Sequence, residues 1–190
     1  MTKARSTTSE EPAIAVSADG VTNWRVDPAM AGGGILFDHG WHALYCVTRW
    51  AGIPVGVTAR LETRRFHEHP LEDTASVDLD TAAGVSTIFL TWAAEERVNT
   101  IEIEGEEGEI RVVGDSVVLK SSAQERRWPC PPSLSEGSHH ADWFGGVTAD
   151  FMTAVTGGGK GNLDEAILCA RLIDAAQRSS AAGGVRLPLA

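Results

Sequence analysis

The sequence predicts an α+β fold, a largely antiparallel open β-sheet with helices packed on one face. Between residues 55 and 120, short segments alternate apolar and polar residues and are separated by glycine turns. On either side of that block, apolar residues recur at helical spacing. Strands in one run and helices at both ends describe a meander covered by helices rather than a series of βαβ units. At 190 residues, 43% apolar and 22% charged, the chain can bury one sizeable core without disulfides or metals. The expected organisation is a disordered tail over residues 1–11 followed by a single domain over 12–190.

In chain order, Ala13 to Ser17 has short β character, Asp19-Gly20 marks a turn, and Trp24 to Met30 reads as loop. From Gly34 to Trp50 the residues Ile35, Leu36, Trp41, Leu44, Tyr45, Val47 and Trp50 keep helical spacing, and Gly52 with Pro54 supplies the stop. The period then changes to two in Val55 to Leu61 and in Ala75 to Leu79. Ala83-Gly84 turns into Val85 to Trp92; Gly105 to Gly108 separates Val98 to Glu104 from Glu109 to Val113; Gly114-Asp115 turns into Ser116 to Lys120. Within Val98 to Glu104, Ile101 and Ile103 fall on one face and Glu102 and Glu104 on the other. Val85, Ile88, Phe89, Leu90 and Trp92 put bulk on both faces, so part of the sheet is expected to meet a second protein surface. The proline- and serine-rich stretch Ser121 to Ser138 reads as a connector. Helices follow over Asp142 to Val155 and Leu163 to Gln177, the second with Asn162 as its expected N-cap.

A formal charge of −10 disfavours nucleic-acid partners, which are held by Lys and Arg on phosphates. No apolar run reaches membrane length, and Cys46, Cys130 and Cys169 are an odd number at wide spacing. These features suit reduced thiols in a cytoplasmic protein.

Chemistry concentrates in Gly32-Gly33-Gly34-Ile35-Leu36-Phe37-Asp38-His39-Gly40-Trp41-His42. A glycine run opening a helix lets the backbone approach a ligand closely, and Asp38 and His42, at i and i+4, are expected to lie on one helical face. A carboxylate beside an imidazole orients the ring and raises its basicity, which makes a proton-transfer unit. The same spacing also describes an ordinary helical ion pair, and spacing alone does not choose between the two.

Trp24-Arg25-Val26-Asp27-Pro28, the glycine triplet, and Asp38-x-Gly40-x-His42 together resemble the W-R-x-D-P…G-G-G-x-x-x-D-x-G-x-H signature of the Gfo/Idh/MocA oxidoreductases. Val55 to Ala59, Glu72 to Val77, the Gly84 turn, Gly105-x-x-Gly108 and Ser179-Ser180 resemble the family in order and spacing, over about residues 24–189. The resemblance implies the family's C-terminal domain, whose open sheet binds substrate and usually forms a homodimer or higher oligomer. It implies acid/base roles for His42 and Asp38, and substrate contacts at Trp24, Arg25, Gly33, Gly34 and, in the connector, His139. The family's dinucleotide motif G-x-G-x-x-G and its E-K-P lysine segment have no counterpart in this sequence. The expectation is therefore no cofactor bound by this chain alone, and NAD(P) only if a Rossmann partner subunit is present.

Three other features have plainer readings. Gly157-Gly158-Gly159-Lys160-Gly161 lacks the Walker spacing and falls between helices, so it reads as a helix connector. His67, Glu68 and His69, and the pair His139-His140, have no recognised ligand spacing, so no metal is expected. Trp24, Trp41 and Trp92 suit core packing first and sugar faces second, and the glutamates between Glu95 and Glu109 read as solvated edges and turns.

The leading functional expectation is a domain that binds a sugar, polyol or related hydroxylated small molecule and depends on a Rossmann partner for redox chemistry. Such a domain should expose an apolar docking surface around the start of the Gly32 to His42 segment. The alternatives are a cofactor-independent proton-transfer enzyme (epimerase, dehydratase or cyclase) using Asp38 and His42, and a non-enzymatic dimerisation or binding module.

Overall fold

A computed structural model describes residues 2–7, 24–95, 98–130, 143–157 and 162–189. Among these residues nine strands, β1 (Thr2–Thr7), β2 (Gly56–Glu62), β3 (Thr74–Thr81), β4 (Gly84–Thr91), β5 (Val98–Glu104), β6 (Gly108–Val113), β7 (Ser116–Ser121), β8 (Glu125–Pro129) and β9 (Leu187–Pro188), form one sheet in the order β8-β7-β6-β5-β1-β4-β3-β2-β9. Two antiparallel arrays make up most of it, and their strands up to Ser121 follow the predicted segments. The first comprises β2 (Gly56–Glu62), β3 (Thr74–Thr81) and β4 (Gly84–Thr91). The second comprises β5 (Val98–Glu104), β6 (Gly108–Val113), β7 (Ser116–Ser121) and β8 (Glu125–Pro129).

Three strands depart from the sequence reading. Where a disordered tail is expected, Thr2–Thr7 form β1, which lies between the two arrays, parallel to β4 and antiparallel to β5. Their composition gives no apolar alternation because a strand in such a slot is held by backbone hydrogen bonds on both sides, which any residue but proline supplies. Likewise β8 occupies part of the predicted connector, and its Pro129 is tolerated because β8 is an edge strand. The two-residue β9 (Leu187–Pro188) pairs with the start of β2. Ala13 to Ser17, and residues 131–142 of the connector and helix start, lie outside the described residues.

On one face of the first array pack α3 (Gly40–Ala51) and α5 (Leu163–Ala181). Val57, Val77, Leu79, Ile88 and Leu90 point into this layer and meet Leu44, Val47, Leu172 and Ile173, all buried. Each such side chain contributes roughly 1.5–3 kcal/mol on burial. In the second array the register places Ile101 and Ile103 opposite Val112 and Ile110, and Glu102 opposite Arg111, as the alternation predicts. Arg111 contacts Glu109 at 3.2 Å and Glu102 at 3.8 Å on that polar face.

The helical pattern over residues 34–50 resolves into two helices, α2 (Ile35–Asp38) and α3, which meet at His39. Gly40, a poor helix former, follows that joint and is buried. Before α2, a 3-10 turn (Trp24–Val26) and the short α1 (Pro28–Ala31) replace the expected loop; Asp27 caps α1 by accepting from the Ala29 N–H at 2.9 Å. Asn162 precedes α5 as expected, but with φ −100° and ψ 23° its backbone is not extended and its side chain makes no capping bond.

α4 (Trp143–Val155) forms where predicted, with Phe144, Val147, Phe151 and Val155 all exposed. No helix among the described residues is long and apolar enough to cross a membrane.

Candidate functional site

Two neighbouring acids set the geometry around Asp38. Glu72, just before β3, accepts the Ile35 N–H on its carbonyl at 3.0 Å and the Leu36 N–H on its carboxylate at 3.3 Å. It thereby satisfies the start of α2, which has no capping side chain of its own. Burial pushes the Glu72 carboxyl above the ordinary glutamate range, partly offset by the backbone N–H groups of Glu72, Gly34 and Leu36. A Cβ on Gly34 would lie 2.0 Å from the Glu72 carbonyl oxygen, so only glycine fits this approach. Next in the chain, burial alone would raise the Asp73 carboxyl, but the N–H groups of Phe66, Arg64 and Arg65 and the Thr74 hydroxyl outweigh it and hold it below its ordinary value. Asp73 also fixes the end of β4, because its carbonyl accepts the Trp92 N–H at 2.8 Å.

Against this frame the end of α2 gathers a polar and aromatic cluster. Asp38 Oδ2 lies 3.0 Å from His39 Nδ1, and Asp38 Oδ1 lies 3.7 Å from Arg25 Nε. The Arg25 guanidinium sits over the Trp24 ring at 4.7 Å. The His39 ring meets buried Trp92 edge to face at 6.5 Å. The His39 contact is the main cause of a lowered Asp38 carboxyl, with burial opposing it and the charges of His39, Arg25 and His42 adding to it. A carboxylate, an imidazole and a guanidinium thus share one partly exposed surface, an arrangement able to hold a hydroxylated molecule and move a proton.

Among the expected site residues, Trp24, Arg25 and Asp38 come together here, while Gly33 and Gly34 lie at the turn beneath them. His42 is exposed one turn into α3, within electrostatic range of Asp38. The expected shared helical face for Asp38 and His42 is interrupted, because the joint at His39 falls between them. His139 lies outside the described residues, as does His140. The sequence reading passed over His39 and Glu72. Adjacent residues on a continuous helix face apart, so only the joint before Gly40 hints that Asp38 and His39 can meet.

His67 and Glu68 are exposed, whereas His69 is buried and stacked on Phe66 at 6.3 Å. These side chains diverge, and among the described residues no three His, Cys, Asp or Glu groups come together to hold a metal ion.

The profile of the GFO/IDH/MocA C-terminal domain matches residues 5–111. The chain belongs to this family. No curated protein matches the sequence. Solved structures similar to it include a levoglucosan dehydrogenase in complex with NADH and levoglucosan, with a TM-score of 0.78 at 22% identity over 99% of this chain. An Agrobacterium radiobacter oxidoreductase in complex with NAD+, L-tartaric acid and magnesium gives 0.74 at 19% identity over 98%. A Caulobacter crescentus aldose-aldose oxidoreductase complexed with glycerol gives 0.73 at 21% identity over 99%. The chain spans 58%, 56% and 54% of those three structures. At these identities the likeness establishes the fold, the α+β sheet of a Gfo/Idh/MocA C-terminal domain. The match also begins at Arg5, within β1.

A dinucleotide needs a parallel βαβ unit with a glycine-rich turn at a helix N-terminus. The sheet of this Gfo/Idh/MocA domain has a single parallel pairing, β1 with β4, among the described residues, and the glycine triplet is closed against Glu72 and Phe37. The described residues contain no such unit.

Proposed function

We propose that this domain binds a sugar, polyol or related hydroxylated small molecule at the Trp24, Arg25, Asp38 and His42 surface, and that a dinucleotide-binding partner completes it for redox chemistry. One observation carries the reading. Large apolar side chains at Trp24, Met30 and Phe37 stay exposed in the segment that carries the charged cluster, which favours a docking surface there. A solvated surface gains nothing from that arrangement, whereas a partner domain closing over the cluster would bury the rings and exclude water from the polar groups.

In this reading Arg25 and Asp38 orient substrate hydroxyls, Trp24 offers an apolar ring to a sugar face, and His42 contacts the substrate from the next helical turn. The opposite sheet face, which carries Phe89 and Val85, is the proposed homodimer surface. The metal-free, cytoplasmic setting expected from the sequence belongs to the same proposal.

A second reading, cofactor-independent proton transfer, draws on the Asp38 to His39 contact, which is complete within this chain. Calorimetric titration of the purified chain with NAD(H), NADP(H), levoglucosan and L-sorbose, with solution mass measured alongside, separates the two. A cofactor-blind dimer that binds a polyol supports the partner-dependent reading. Saturable cofactor binding overturns the need for a partner, and failure to bind any polyol overturns the substrate class.

A further inference from the structure

We infer that α4 is an arm exchanged between two copies of this chain: its apolar stripe seats on the uncovered apolar face of β5 to β8 in the second copy, which returns the same contact. The inference is independent of the polyol-site reading, and it uses the side of the sheet opposite to the proposed homodimer face.

α4 needs a cover that its own surroundings do not supply. Every residue from Phe144 to Val155 is exposed, and α4 makes no substantial contact with another element among the described residues. Phe144, Val147, Phe151 and Val155 fall on one stripe with Met152 beside them, each more than half exposed. A free helix of 13 residues with two adjacent glycines is marginal in water, so its stability has to come from burying that stripe.

A matching surface lies on the same molecule. Ala4 pairs both with Ile88, which points into the helix layer, and with Ile101, so Ile101 lies on the helix side of the sheet. From Ile101 the register carries Val112 and Val117 in one row, and Ile103, Ile110 and Leu119 in the next. α2, α3 and α5 pack on β1 to β4, which leaves this face of β5 to β8 without a substantial helical cover among the described residues. Its only charge is Arg126, across from Leu119, and the only charge on α4 is Asp150. The two surfaces therefore match in sign as well as in apolar character.

The tether assigns the contact to a second copy. α4 leads into α5, whose start is held beside the end of α3 by the 2.7 Å ion pair of Arg49 with Glu165. α3 ends at Ala51 and β2 begins at Gly56, so the start of α5 sits at the β2 side of the sheet. β6 and β7 lie five and six strands away in the sheet order, about 24–29 Å. Gly157 still belongs to the last turn of α4, and residues 158–162 span at most about 20 Å. A stripe laid over β6 and β7 thus comes from another molecule. Two such contacts related by a twofold axis cover on the order of 1,500 Å², enough for a stable dimer, and combined with an interface on the opposite face they would build a tetramer.

The test is isotope-filtered NMR of the full chain in an equal mixture of two preparations, one labelled at Ile, Leu and Val methyl groups and one deuterated except at Phe, with solution mass measured by light scattering. The expected result is cross-relaxation between the Ile110 and Leu119 methyl groups of one copy and the Phe144 and Phe151 rings of the other. The doubly substituted Phe144→Asp, Phe151→Asp chain is expected to lose these contacts and half of its mass, and Leu119→Asn, on the receiving face, to show the same fall; circular dichroism shows whether each variant is folded. Ring contacts seen only when both labels are on one chain place α4 on its own sheet and overturn the inference. A mass that neither variant changes overturns it too, as does the absence of any contact between these groups, which leaves α4 to cover a different protein.

Discussion

The buried hydroxyl of Ser179 accepts the backbone N–H of Ala59 at 2.9 Å and donates to the carbonyl of Val185 at 2.7 Å. One residue on, Ser180 accepts the N–H of Leu61 at the same 2.9 Å. Beyond its short pairing with β9, β2 thus has its outward N–H groups satisfied by a helix instead of another strand. Ser179→Ala leaves a buried donor without a partner and is expected to cost about 1–3 kcal/mol in urea unfolding at pH 7. Ser180→Ala, at a part-buried site, is expected to cost less.

Asp73 should be the more demanding position. Asp73→Asn keeps the shape but weakens a carboxylate that receives three backbone N–H groups, with an expected loss of about 3 kcal/mol at pH 7. Because its folded value is lowered, the stability it contributes is present above its unfolded value of about 3.9 and is lost as pH falls through the lowered folded value. The urea-unfolding stabilities of wild type and variant should therefore begin to converge as pH falls below about 4.

Glu72 carries the opposite sign. Burial raises its folded value, so its destabilising charge is absent in acid, sets in as pH rises through an unfolded value of about 4.3, and is complete above the raised folded value. Glu72→Gln retains an oxygen for the Leu36 N–H and removes the buried charge. The variant is expected to be more stable than wild type at pH 7 and to lose that advantage near pH 4; equal stability at both values would show that the charge is well solvated.

The two glycines that shape the site should respond differently to a methyl group. In Gly34→Ala the new Cβ meets the Glu72 carbonyl, which is backbone and cannot swing aside, so the variant is expected to misfold locally or lose more than about 3 kcal/mol. In Gly40→Ala the Cβ lies 2.7 Å from Leu36 Cδ1, the end of a flexible side chain. Its expected cost is about 1–3 kcal/mol, read as a thermal melting shift.

How far the sequence spoke for the structure depended on whether a signal was local. The strands β2 and β3 were legible because Val57, Ala59, Val77 and Leu79 alternate with polar neighbours and face a common helix layer. Asp38 was legible because a short motif marks it. β1 was not, because a strand paired on both sides by distant segments needs no periodicity of its own. The break at His39 was hidden by apolar spacing that continues through it, and the contact of Gly34 with Glu72 joins residues that no local pattern connects. Asn162 shows the converse, a favourable cap residue whose backbone angles deny its side chain the bond.

The position of β1 bears on how the molecule is assembled in time. Residues 2–7 are synthesised well before their partners, residues 86–89 and 98–103, which lie far along the chain. Until β1 is seated between them, β4 and β5 each present an open edge able to pair with another molecule. Closing that seam both joins the two arrays and ends the period in which a newly made chain is most prone to aggregate.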